Sequence, residues 1–210
     1  AKSSAKLEHE SPFIAKDTLM KIQRQLRKIK ANVKNVLIIG GGSIGKTMKH
    51  ECEKCFKKVD IFDLKKTRSD FNSLKITKHL RCYDLVIGTT GNTSIGIDDF
   101  RYMKPGTILA SVSSSDREFS AFRLREKGHT EIHANISYDG KIVLNNGFPV
   151  NFDGKETIAP LGEIQFTVAL VLYAIYQGVS REYRAKRFVQ LNKRFQIQIS
   201  NQLLQPLKNK

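Results

Sequence analysis

The chain has 210 residues, with 36 Lys+Arg against 20 Asp+Glu, three Cys, no Trp and a formal net charge of +16. With 40% hydrophobic residues it can hold one domain, or one plus an appendage, and bury roughly 70% of its unfolded surface. That composition excludes a disordered or fibrous class.

The longest apolar run, Phe166–Tyr176, is shorter than the roughly 20 residues that span a bilayer, so no membrane partner is expected. Three Cys cannot close a disulfide framework. A reducing, cytoplasmic setting is the default. Residues 1–34 carry nine Lys/Arg against three acids, and residues 180–210 carry eight against one. The positive surplus therefore sits at the ends, as solvated faces do. No basic–aromatic interleaving points to a specific nucleic acid.

Taken in chain order, residues 1–9 read as a polar leader. Asp17 is a plausible N-cap, followed by Leu19, Ile22, Leu26 and Ile29 at helical spacing. Asn35–Ile39 is a buried-strand run that ends in three glycines. A helix is expected from Ser43 to about Phe56, and a strand over Val59–Phe62. Residues 64–83 leave room for one short helix or strand, not for a full βαβ unit. Asp84–Gly88 reads as a strand, Ile97–Met103 as a helix, Thr107–Val112 as a strand and Asp116–Lys127 as a helix. Ile132–Ser137 and Lys141–Leu144 flank Tyr138-Asp139-Gly140, a hairpin signal. Pro160–Tyr176 reads as an apolar helix, and Ser180 can cap a last long helix. The alternation predicts a Rossmann-type doubly wound α/β fold, with a mainly parallel sheet and a C-terminal helical extension. The expected division is a leader and helix over 1–33, a nucleotide-binding domain over 34–178 and a basic helix over 179–210.

The stretch Gly40-Gly-Gly42-Ser43-Ile44-Gly45-Lys46-Thr47 fits two motifs. As G-x-G-x-x-G, Gly40 makes the turn out of the strand, Gly42 lets a pyrophosphate approach, and Gly45 lets helix pack on strand. As G-x-x-x-x-G-K-T it is a Walker A, with Lys46 for phosphates and Thr47 for magnesium. The dinucleotide reading needs an acid at the end of the second strand for the ribose hydroxyls. Asp63 lies 18 residues past Gly45, at that place. An acid there favours NAD over NADP, although Lys65, Lys66 and Arg68 follow at once. A P-loop ATPase and an unliganded glycine turn remain as alternatives.

Several segments in order resemble the NAD-binding half of the adenosylhomocysteinase family. They are the glycine loop, Asp84-Leu-Val-Ile-Gly-Thr89-Thr90-Gly91-Asn92, Met103 to Asp116, and the late hairpin from Ile132 through Gly147 to Asn151. The resemblance spans about residues 10–177. It implies NAD held by Gly40, Gly42, Ser43, Ile44 and Gly45 at the phosphates and by Asp63 at a ribose. Thr89, Thr90, Gly91 and Asn92 would lie along the cofactor. Val112, Ser113 and Ser114 would lie near the nicotinamide, and Asn151 near its carboxamide. A complete enzyme of this kind is an NAD-dependent hydrolase. Here, however, the family's Gly-His pair is Ser113-Ser114, and its later Gly-His-Pro is missing. The half that supplies the catalytic residues has no counterpart, so no catalytic residue is assigned. Hydrolase activity by this chain alone is not expected. The partners to expect are the dinucleotide and a homodimer or a separate substrate domain. The other class that fits is a non-catalytic nucleotide-sensing or oligomerisation module.

Three further clusters stand out. Cys52 and Cys55 share a helix face with His50 nearby, and read as structural rather than metal or redox residues. His129, Glu131 and His133 alternate, and would share one side of a strand. Neither makes an expected metal site. Phe188, Leu191, Phe195 and Ile199 form a stripe at helical spacing, expected to pack on its own domain, with a dimer or interdomain contact and an anionic membrane surface as the alternatives.

Overall fold

A computed structural model describes residues 4–72, 75–125, 131–154, 161–180 and 189–208. The chain packs as two compact units, residues 14–157 and residues 1–13 with 158–210. The helix over Leu161–Val179 thus groups with the C-terminal helix, whereas the sequence reading put it with the glycine loop.

The larger unit holds a six-stranded sheet: β1 (Asn35–Ile39), β2 (Lys58–Phe62), β3 (Leu85–Gly88), β4 (Ile108–Ser111), β5 (Ile136–Tyr138) and β6 (Lys141–Val143). The strand order is β2-β1-β3-β4-β6-β5. All neighbours are parallel except β5, which pairs antiparallel with β6 through the expected hairpin. Parallel strands covered on both faces read as continuous apolar runs, which is why β1, β3 and β4 were legible. Val36 and Ile38 face α1 (Ser4–Lys28) and α2 (Ser43–Glu53), where Ala15, Leu19, Ile22, Met48 and Cys52 are buried. Leu37 and Ile39 face the other side, with Leu80, Tyr83, Phe100 and Phe119.

The chain steps from β1 through α2 to β2 and then returns to β3 on the far side of β1. A doubly wound sheet reverses at such a point and leaves a crevice outside the carboxyl ends of the strands. The return, residues 63–84, carries two short 3-10 turns, Lys66–Arg68 and Ile76–Cys82, and no strand among its described residues. β2 is therefore an edge, and Asp70 covers it. The Asp70 N–H donates to Ile61 O at 2.8 Å, and Asp70 Oδ2 accepts the Ile61 N–H at 2.8 Å. Pairing an edge with a bend rather than a strand blunts it against further pairing.

Several elements depart from expectation. Helix α1 starts at Ser4, so the described part of the supposed leader is helical. Asp17 is a buried position inside the helix and not its cap. Ile97–Tyr102 is a 3-10 helix; Asp99 Oδ2 accepts the Gly96 N–H at 2.9 Å. In place of a helix from Asp116, α3 covers only Ala121–Arg125. Ser120 has φ +51°, the Glu118 carbonyl accepts from Ser94 and Ile95, and Asp116 pairs with Arg125 instead of capping. Residues 131–135 turn before β5, so the alternation of Glu131 and His133 does not place them on a strand; His129 lies outside the described residues. Ser180 donates its hydroxyl back to Gln177 O, and the last helix, α5, is Lys193–Lys208. Its cap is Asn192, whose Oδ1 accepts the Arg194 N–H at 2.9 Å.

In the smaller unit, α4 (Leu161–Val179) packs on the segment leading into α5 and on α5 itself. Phe166 and Leu170 bury against Leu191 and Ile199, and Tyr173 stacks on Phe195 at 4.3 Å. Gln177 accepts from the Asn192 N–H at 2.8 Å and donates to Gln190 O at 2.9 Å. The stripe's Phe188 lies outside the described residues. Among the described residues no helix is long and apolar enough to cross a membrane.

Candidate functional site

The glycine loop is fixed by close contacts that only glycine allows. Gly40 has φ +110°, and a Cβ there would stand 2.6 Å from Thr89 Oγ1. Its N–H donates to Phe62 O at 2.8 Å, which ties the end of β1 to β2. A Cβ on Gly45 would meet Gly40 O at 1.7 Å, so the first turn of α2 rests directly on the loop. Gly42 is different: a Cβ there meets nothing within 4 Å. It is the N-cap residue of α2 in extended backbone, φ −70° and ψ −170°. Helix N-termini present unpaired N–H groups and a partial positive charge, which attract phosphates.

The carboxyl ends of β1, β2 and β3 meet at a cavity of about 480 Å³, lined by Ile39, Gly40, Gly42, Phe62, Asp63, Leu64, Arg68, Thr89, Thr90, Asn92, Thr93 and Ser94. Asp63 is bonded at both oxygens. Oδ2 accepts the Gly41 N–H at 2.6 Å and Oδ1 the Lys65 N–H at 2.8 Å. Each oxygen keeps a lone pair for a further donor such as a ribose hydroxyl. Thr89 donates its N–H to Ile39 O at 2.8 Å, and its hydroxyl lies 2.9 Å from Gly40 O. It thereby locks β3 to the glycine loop.

The Walker A reading finds less support. Thr47 donates its hydroxyl to Ser43 O at 2.9 Å, inside its own helix. Lys46 lines a separate hollow with Lys49, His50 and Asp70. Asp84, the other acid a metal would need, lies at the amino end of β3, away from the cavity. Burial works to raise its carboxyl, but Lys104 and the N–H groups of Asn35 and Lys34 outweigh that and hold it below the ordinary carboxylate range.

No family model matches the chain. The chain is 35% identical over 182 residues to two uncharacterized proteins of Mycobacterium tuberculosis, one from strain CDC 1551 / Oshkosh and one from strain ATCC 25618 / H37Rv. The match covers 83% of this chain and 35% of each relative, so the chain spans about a third of their length. Among solved structures it is similar to a transhydrogenase from Sinorhizobium meliloti, with 13% identity, a TM-score of 0.49, and 70% of this chain and 52% of that one covered. It is also similar to a dipicolinate synthase chain from Bacillus halodurans, with 18% identity, a TM-score of 0.47, and 59% and 45% covered.

Of the sequence-derived residues, the cavity gathers Gly40, Gly42, Asp63, Thr89, Thr90 and Asn92. Ser43, Ile44 and Gly45 form the first turn of α2 beside it, and Gly91 (φ +74°) turns the loop after β3. Val112, Ser113, Ser114 and Asn151 are not in its lining; they stand at the carboxyl end of β4, farther along the same sheet edge. The Val112 N–H donates to Gly88 O, and Ser113 Oγ lies 3.0 Å from Ser111 Oγ. The Val150 N–H donates to Ser111 O at 2.9 Å, which brings Asn151 beside them. Its Oδ1 is buried without a partner.

Three residues join the site beyond those the sequence assigned to it. Arg68 lines the cavity from the loop after β2. Lys21, buried in α1, donates to Asn151 O and to Asp153 Oδ1, both at 2.9 Å. Glu118, fully buried, accepts from the loop after β3. A lysine between Leu19 and Ile22 in a buried stripe was a usable signal for the second. Nothing local pointed to Glu118, whose partners lie far away in sequence. Cys52 is buried, and burial pushes its thiol up to about 12, so it is no ready thiolate. Among the described residues no three His, Cys, Asp or Glu side chains gather as a metal site.

Proposed function

We propose that residues 14–157 bind a nicotinamide dinucleotide, NAD, across the reversal point of the sheet. The observation that carries this reading is the open space at Gly42, between two glycines that are packed tight. Of the loop's glycines, 40, 41, 42 and 45, only Gly42 leaves room for a ligand to approach, and it stands at the N-terminus of α2, where a pyrophosphate would bind. Asp63, on the same cavity, suits the adenosine ribose and disfavours a 2′-phosphate. Val112–Ser114 and Asn151 suit the nicotinamide end, and the buried unpartnered Asn151 Oδ1 is free to accept from a carboxamide. The bound cofactor would supply hydride acceptance; the chain's own residues hold and orient it.

The resemblance to the adenosylhomocysteinase family supports a finer reading, a cofactor domain that works with a substrate domain or a second chain. The greater length of the curated relatives agrees with that. Calorimetric titration with NAD, NADH, NADP and ATP–Mg in parallel tests it. Micromolar or tighter binding of NAD or NADH is expected; preference for ATP–Mg would overturn it.

A nucleotide-dependent assembly module is the second reading, and one observation favours it. Val168, Leu172, Ile175 and Val179 on α4 are each more than half exposed, and apolar residues at that spacing form one helix face. It predicts a size-exclusion profile that changes when NAD is added. Identical profiles would count against it.

A further inference from the structure

We propose that Glu118 is the positioning residue of the loop Thr89–Ser94, the wall of the cavity contributed by β3. The proposal rests on the dinucleotide reading for its ligand, but the contacts stand independently. Glu118 Oε2 accepts the N–H groups of Thr90 and Gly91 at 3.1 and 3.0 Å, and Oε1 lies 2.8 Å from the Thr90 hydroxyl. Its backbone carbonyl accepts the N–H groups of Ser94 and Ile95 at 3.0 and 3.2 Å. One residue therefore grips both ends of the loop, the side chain at the start and the main chain at the finish. Between the two grips lie Asn92 and Thr93, which with Thr89, Thr90 and Ser94 line the cavity.

The sequence is arranged to admit this carboxylate. A Cβ on Gly88 would stand 2.1 Å from Glu118 Cγ, so only glycine at the end of β3 leaves room. A fully buried carboxylate is strongly disfavoured unless its lone pairs are filled, and here the loop fills them with charge-assisted bonds.

The grip also has a consequence for ligand choice. Two successive N–H groups at a turn make a concavity that attracts anions. At Thr90 and Gly91 the protein's own carboxylate occupies it. The loop thus offers no such nest to a phosphate, and the pyrophosphate is left to Gly42 and the first turn of α2. The β3 wall meets an uncharged part of the cofactor.

The test compares wild type with Glu118→Gln by NADH titration, thermal melting and amide hydrogen exchange. In the variant the charge is lost: the single amide oxygen can accept from the Thr90 and Gly91 N–H groups only as a weaker, neutral acceptor, with the NH₂ turned to the Thr90 hydroxyl. The expected result is faster exchange at Thr90 and Gly91 and a fall in NADH affinity of roughly tenfold or more at a nearly unchanged melting temperature. Affinity that stays at the wild-type value while those amides lose protection would overturn the positioning role. Should Glu118→Gln fail to fold, exchange in the wild type without NADH decides: Thr90 and Gly91 amides must be protected, and exchange at the rate of free loops would overturn the proposal. If wild type does not bind NADH, the dinucleotide reading fails by itself, and the same exchange measurement still tests the grip of Glu118.

Discussion

The carboxylate of Asp63 reaches back from the end of β2 to the N–H of Gly41 at 2.6 Å. The residue proposed for a ribose is thus also the clasp of the glycine loop, and the ends of β1 and β2 are tied through it.

Asp63→Ala removes both roles. NAD affinity should fall by at least tenfold, and stability by about 1–2 kcal/mol, since the Gly41 and Lys65 N–H groups lose a charged acceptor. Asp63→Ser should also shift preference toward NADP, because Arg68 shares the cavity and the repelling charge is gone. Calorimetry with both dinucleotides reads the ratio. An unchanged NAD affinity in Asp63→Ala would remove the ribose assignment.

Gly45→Ala should destabilise the protein by roughly 2 kcal/mol or more, because the added methyl meets Gly40 O at 1.7 Å and backbone must move. Denaturant unfolding measures it. A wild-type midpoint would show that the first turn of α2 does not rest on the loop.

Lys21 and Asp153 form a buried ion pair at 2.9 Å, with side chains 4% and 7% exposed. Lys21→Met removes the lysine cation beside the buried Asp153 carboxylate and should cost about 3–5 kcal/mol. Replacing both, Lys21→Met with Asp153→Leu, should recover much of that loss. A double variant no more stable than the single one would show that the pair is not the source of the cost.

Asp84 gives the pH dependence. Its folded carboxyl titrates below the ordinary value of 3.8. The stability it contributes is therefore present above that pH and is lost as pH falls from about 4 through its folded value. Asp84→Asn should be less stable than wild type near neutrality, with a shallower loss of stability below about pH 4. Parallel acid unfolding curves would contradict this.

The elements that position the site were legible because each is local. β1 reads as an apolar run, Gly40–Gly45 as a spaced motif, and Asp63 as an acid at the end of the next strand. The elements that failed depend on distant partners. Asp116–Ser120 has helix-compatible residues, but the Glu118 main chain bonds to Ser94 and Ile95 and Ser120 turns left-handed, so tertiary contacts override propensity. Asp17 looks like a cap from its neighbours alone, yet the helix began a few turns earlier. Edge strand β2 gave no hint that Asp70 would cover it.

Gly42 offers the most direct test of the central claim. A Cβ there meets nothing within 4 Å, and its extended backbone tolerates a branched residue. Gly42→Val should therefore fold, with about 1 kcal/mol lost for a branched apolar residue at the N-cap, yet put its methyl groups where the pyrophosphate would sit. NADH titration of the two proteins side by side should show affinity falling by about thirtyfold or more, the scale of about 2 kcal/mol of lost phosphate contacts and steric conflict. A Gly42→Val protein that folds and binds NADH as tightly as wild type would contradict a dinucleotide site at this loop.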